Sequence, residues 1–130
     1  MKHIQTINKA NGDKPDLVAV MGGEPEAMFR RAISELGGMK QFIKPGQKVV
    51  VKPNIGWDKV PELAGNTNPK LITEIIKQCF AAGAKEGTVF DHTCDAWQKC
   101  YKNSGIEAAA KAAGAKVMPA HLESYYKPVN

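Results

Sequence analysis

From residue 17 onward, short apolar runs alternate with longer stretches in which apolar side chains return every third or fourth position. Leu17-Val18-Ala19-Val20-Met21 is a continuous apolar run stopped by Gly22-Gly23, the pattern of a strand buried on both faces. Pro25 suits the first turn of a helix, and Met28, Phe29, Ala32, Ile33 and Leu36 follow at helical spacing before Gly37-Gly38. The turn Lys44-Pro45-Gly46-Gln47 leads into the β-branched run Lys48-Val49-Val50-Val51. After a long loop, Asn68-Pro69 opens a helix with the stripe Leu71, Ile72, Ile75, Ile76 and Cys79, closed near Gly83. Gly87-Thr88-Val89-Phe90-Asp91 is a third strand, and Lys116-Val117-Met118-Pro119 a fourth. Between them, a short helix after Asp95 and an alanine-rich helix over 105–113 are expected. Ser104 and Glu107 have the spacing of a capping box.

Strands alternating with helices predict an α/β fold, a Rossmann-like three-layer sandwich with a mostly parallel sheet of about four strands. Residues 1–16 are polar and turn-rich and read as an arm or edge element. Residues 17–130 then form one α/β domain, a length that fits one domain and no more.

Composition narrows the class. The 130 residues carry 18 Lys/Arg against 13 Asp/Glu, a net charge of +5. The excess is spread over both halves without a basic run, which argues against nucleic-acid binding and is compatible with an anionic small ligand. No apolar run approaches the ~20 residues that span a bilayer. Three cysteines make no self-contained disulfide framework, so a reducing compartment is expected and the chain as written reads as cytoplasmic. Export is compatible if the native N-terminus has been trimmed.

In open α/β sheets, ligands gather where the strand-to-helix loops converge at the carboxyl ends of the strands. Three stretches leave that edge. Gly22-Gly23 precedes a helix N-terminus and can bring backbone N–H groups to an anion, although both standard phosphate loops are missing, Glu24 would repel an anion, and a tight turn is the favoured reading. After the second strand, Lys52 offers a cation, Asn54 an amide fork and Trp57 a stacking wall; each also has a purely structural reading, as a snorkelling cation, a side-chain turn and a loop anchor. After the third come Asp91, His92, Cys94 and Asp95. Asp91, His92 and Cys94 are the candidate catalytic groups, with His92 able to activate the Cys94 thiol. Alternatively, His92, Cys94 and Asp95 form a ligand set for a divalent metal, the candidate cofactor. No recognised zinc or cluster spacing is present. The bland alternative is a buried cysteine, a capping Asp95 and a backbone-bonded histidine.

Gly22-Gly23-Glu24-Pro25, Lys44-Pro45-Gly46, Val49-Val50-Val51-Lys52-Pro53-Asn54, Asn66-Thr67-Asn68-Pro69 and Asp91-His92-Thr93-Cys94-Asp95 together resemble the domain-of-unknown-function family three-six-two. The resemblance covers about residues 17–126, and Lys-Pro-Asn at the strand exit is its most specific mark. It implies the amino-terminal part of an iron–sulfur-associated protein that commonly continues beyond this length. The clustered cysteines of the family's ferredoxin-like module are not present, so no iron–sulfur cluster is expected within this chain. Two functions follow. One is binding of a small anionic ligand or metal at the sheet's carboxyl edge within a redox-linked enzyme. The other is a non-catalytic interaction or scaffold domain that forms a homo-oligomer or pairs with the remainder of a longer chain.

Overall fold

The computed structural model describes residues 15–129; most of the expected polar arm over residues 1–16 lies outside them. The elements run α1 (Pro25–Glu35), β1 (Lys48–Val51), α2 (Pro69–Ala81), β2 (Glu86–Val89), α3 (Trp97–Asn103), α4 (Ile106–Ala112) and β3 (Lys116–Val117), with short 3₁₀ turns at Met39–Gln41, Pro61–Leu63 and Glu123–Tyr125. The three strands form one parallel sheet in the order β1-β2-β3. The α/β class with a parallel sheet is therefore as the sequence predicts, with three strands among the described residues and not four.

The missing strand is the run at Leu17–Met21. It is extended but contributes only an isolated bridge at Ala19. Val18 and Val20 are half-buried, while Leu17, Ala19 and Met21 are exposed. This is a one-sided alternation, not burial on both faces. Val18 and Val20 border a cleft shared with Met28 and Phe29 of α1 and Leu71 of α2, so the segment spends its apolar side chains on helices and not on a strand ladder.

β1 is built from residues whose branched side chains suit a pleated surface, and it sits in register with β2: Lys48 opposite Glu86, Val50 opposite Thr88, Val51 opposite Val89. Val49, Val51, Val89 and Val117 turn towards α2 and α4, where Ile55, Ile72, Ile76, Cys100, Tyr101, Ile106 and Ala110 complete the core. Asn68 caps α2 by accepting the Lys70 N–H at 2.9 Å, and Pro69 takes the first helical position. α2 ends in a turn where Gly83 has φ +104°, and a Cβ there would meet the backbone of Pro45 at 3.1 Å. Gly83 accepts from Gly46 N–H and Lys85 N–H donates to Gln47, each at 2.8 Å, so that turn is tied to the one entering β1.

Among the described residues, the helices stand on one face of the sheet, so two of the three expected layers are seen. α1 packs on α2, held by Arg30–Glu74 and Lys70–Glu24 pairs at 2.9 Å each. The opposite face carries Lys48, Val50, Glu86, Thr88, Phe90, Lys116 and Met118, with Val50 59% and Met118 49% exposed. Lys116 and Lys48 both pair with Glu86 across it, and the Lys116 contact holds the Glu86 carboxyl below its usual range.

The capping box is not formed. Ser104 Oγ does accept the Ile106 N–H at 3.3 Å, but Glu107 pairs with Lys111 in the next turn. The helix instead starts at Gly105, whose φ of +72° supplies the break after α3. All three cysteines are free. No helix among the described residues is long and apolar enough to cross a membrane.

Candidate functional site

The loops leaving β1 and β2 are zipped together at the carboxyl edge of the sheet. Asp91, two residues beyond β2, continues the inward phase of Val89 and is buried; its Oδ2 accepts the Ile55 N–H at 2.7 Å. Gly56 C=O accepts from Cys94 N–H at 2.8 Å and Asp95 N–H at 3.2 Å. Asp95 Oδ2 accepts the Asp58 N–H at 3.0 Å, and Asn103 donates to Asp58 Oδ1 at 2.6 Å. A backbone exchange that begins as a β1–β2 ladder thus continues beyond both strands through carbonyl and carboxylate acceptors.

Lys52 is the cation of this rim. Its Nζ lies 2.5 Å from Asp91 Oδ1, with the lysine side chain 61% exposed and the aspartate 6%. The carboxylate is anchored by a backbone donor on one oxygen and orients the ammonium with the other. An ammonium has three N–H donors, so the ion pair leaves two for other acceptors.

Asn54 is a loop staple and not a free fork. Its Nδ2 donates to Gly65 C=O at 3.2 Å, and its Oδ1 accepts the Gly56 N–H at 3.1 Å. Its backbone exchanges bonds of 2.9 Å with the Thr67 hydroxyl and Thr67 N–H. Trp57 is exposed, and its backbone is held on both sides by the Asn66 amide, N–H to Oδ1 at 3.1 Å and C=O from Nδ2 at 2.9 Å. Gly22 and Gly23 form the turn before α1. They come to the amino end of α2 through the Glu24–Lys70 pair, which raises the lysine's pKa.

Asp91, His92 and Cys94 diverge. His92 follows Thr88 and Phe90 on the open face of the sheet, exposed, with its ring centroid 6.1 Å from that of Tyr126. Cys94 is exposed beside Gly56, where a Cβ would lie 3.8 Å from its Sγ. Among the described residues, no hydrogen bond joins His92 to Asp91 or to Cys94. Nor do three His, Cys, Asp or Glu side chains gather into a group that could hold a metal ion, so His92, Cys94 and Asp95 are not brought together as ligands. Pleat alternation separates His92 from Asp91, whereas Cys94 and Asp95 are turned into the β1 loop by their N–H bonds to Gly56 C=O, and Asp95 is already engaged by the Asp58 N–H.

Tyr101 is the supporting residue that the sequence reading passed over. Its hydroxyl accepts the Asp91 N–H at 2.8 Å and shares its proton between Asp91 C=O at 2.9 Å and Met118 C=O at 3.1 Å. Burial pushes the phenol upward, keeping it protonated and able to donate. The signal was present in the spacing: Trp97, Cys100, Tyr101 and Ser104 form the inward stripe of α3. Burial likewise raises the Cys100 thiol, which makes it a packing group and not a nucleophile.

These features define an open α/β domain with a hydrogen-bonded rim at the carboxyl edge of a parallel sheet, where Lys52 pairs with Asp91. The chain belongs to the family described as Domain of unknown function (DUF362), whose family model matches residues 49–130. That description names no reaction and no cofactor. A relative, the Thylakoid-associated protein sll1697 of Synechocystis sp., is 34% identical over 59 residues. The aligned part is 45% of this chain and 18% of that protein, so the chain spans a minor part of its relative's length. No solved structure matches.

Proposed function

We propose that this domain binds a small anionic ligand at the carboxyl edge of its sheet, with Lys52 as the ligand's cation and Asp91 as the group that positions it. The single observation that carries this reading is an exposed ammonium held by a buried, backbone-anchored carboxylate. A lysine tethered in this way has lost side-chain freedom before a ligand arrives, which lowers the ordering cost of binding. The broader setting we propose is a redox-linked enzyme, in which the exposed Cys94 thiol on the same rim is the group a redox partner would reach.

The test is a thermal-shift series with inorganic phosphate, oxalate and citrate on the wild type and on Lys52→Met. A ligand at about 100 times its Kd adds about 2.7 kcal/mol of stability. At least one anion should raise the wild-type melting temperature and fail to protect Lys52→Met. Equal protection of both proteins, or protection of neither, overturns the proposal.

A second reading, an interaction domain that meets a second copy or the rest of a longer chain, is favoured by the helix-free sheet face with Val50 and Met118 exposed. Sedimentation at increasing concentration tests the self-association arm. A monomer throughout, unaltered by Val50→Lys, removes it.

A further inference from the structure

The open face of the sheet holds a cavity that the rim does not use. Its volume is about 360 Å³, and it is lined by Thr88 and Phe90 from β2 and its exit, Met118, Pro119 and Ala120 after β3, and Tyr125 and Tyr126. Tyr126 is fixed as a wall because its hydroxyl donates to Ala120 C=O at 2.8 Å. Three of the seven lining side chains are aromatic, and Met118 adds a polarisable thioether of the kind that packs against rings. His92 is next after Phe90 on this face, its ring 6.1 Å from Tyr126.

From this arrangement we infer that the cavity is a binding site for a small planar aromatic carboxylate, the ring lying among Phe90, Met118 and the tyrosines and the carboxylate meeting His92. Size argues for this occupant. The cavity sits near the lower end of the ~300–1,000 Å³ usual for ligand pockets, and a partner helix about 10–12 Å across is too wide for it. Chemistry argues the same way: the walls are apolar and aromatic, and the neighbouring polar group is an exposed imidazole able to donate a hydrogen bond. The site shares no residue with the Lys52–Asp91 rim, so either stands if the other fails.

The probe is 2-naphthoate, titrated into the full chain and followed by amide NMR shifts, with the uncharged 2-methylnaphthalene as control. Saturable shifts are expected over residues 88–92 and 118–126. Thr88→Phe, which fills the floor, should abolish them; Tyr126→Ala, which removes a wall, should weaken them and serves if the first variant does not fold. His92→Ala should weaken 2-naphthoate by about tenfold, the effect of losing one hydrogen bond to a charged group, and leave 2-methylnaphthalene unaffected. Shifts that do not saturate, shifts centred outside this face, or equal losses for both probes in His92→Ala overturn the inference.

Discussion

Replacing Asp91 by alanine isolates what holds the rim together. The carboxylate makes two contacts of different kinds: Oδ2 accepts from the Ile55 N–H at 2.7 Å, and Oδ1 pairs with Lys52 at 2.5 Å. Ile55 is fully buried, so its N–H has no access to water when the acceptor is removed. A hydrogen bond to a charged group contributes about 1.5–3 kcal/mol. Lys52 is largely exposed and re-solvates once freed, so the ion pair adds no more than about 1 kcal/mol. The expected loss for Asp91→Ala is therefore about 2–4 kcal/mol, a large share of the ~5–15 kcal/mol that holds a typical domain together. Urea unfolding followed by the fluorescence of Trp57 and Trp97 gives the number, and a double-mutant cycle with Lys52→Met apportions it. Lys52→Met alone should cost under about 1 kcal/mol, and Asp91→Ala should still cost about 1.5–3 kcal/mol in its background. If the two single variants lose the same stability, or if Asp91→Ala costs less than about 0.5 kcal/mol, the view of Asp91 as the anchor of the β1 loop is refuted.

Three further outcomes are expected. Tyr101→Phe strips the partner from Asp91 N–H and from two carbonyls and should cost about 1–3 kcal/mol in urea. Because burial raises the Tyr101 pKa, its contribution is complete below the ordinary tyrosine value near 10 and is lost as pH rises through the folded-state value; the alkaline limb of a stability–pH curve should flatten in Tyr101→Phe. Gly83→Ala places a Cβ against the Pro45 backbone at φ +104° and should cost about 1–3 kcal/mol by thermal or urea melting, whereas alanine at the exposed helical position Lys77 should be close to neutral. Glu86, its pKa lowered by Lys116, contributes stability above the ordinary glutamate value and loses it as pH falls through the folded-state value; because the pair is exposed, the difference between wild type and Glu86→Gln should be small and should vanish in high salt.

Much of the architecture could be read before any coordinates. Helical spacing marked α1 and α2 nearly to the residue, and β-branching marked β1, because each pattern reports a face that must be buried. Leu17–Met21 misled because five apolar residues look alike whether their partner is a strand or a pair of helices. Only the tertiary packing chose the helices. At the rim, the convergence of the Lys52 and Asp91 loops followed from parallel topology, which sends successive exits to one edge. The grouping of Asp91 with His92 did not survive, since adjacency in sequence after a strand means opposite directions in space. Asn54 and Asp95 carried the chemistry of ligand contacts, yet here that chemistry satisfies backbone donors and acceptors within the loops. Residue type reveals capacity to bond; it does not say with whom.

The contact between Asp91 and Ile55 spans 36 positions of chain, and the Asp58 contact with Asp95 spans 37. Closing segments of that length is entropically slow to be rewarded, whereas the turns of α2 and α4 form locally. The rim should accordingly acquire its protection late in refolding, after the helices. A pulse-labelled exchange experiment would see the Ile55 amide among the last to close, so a competent Lys52 marks a chain that has finished folding.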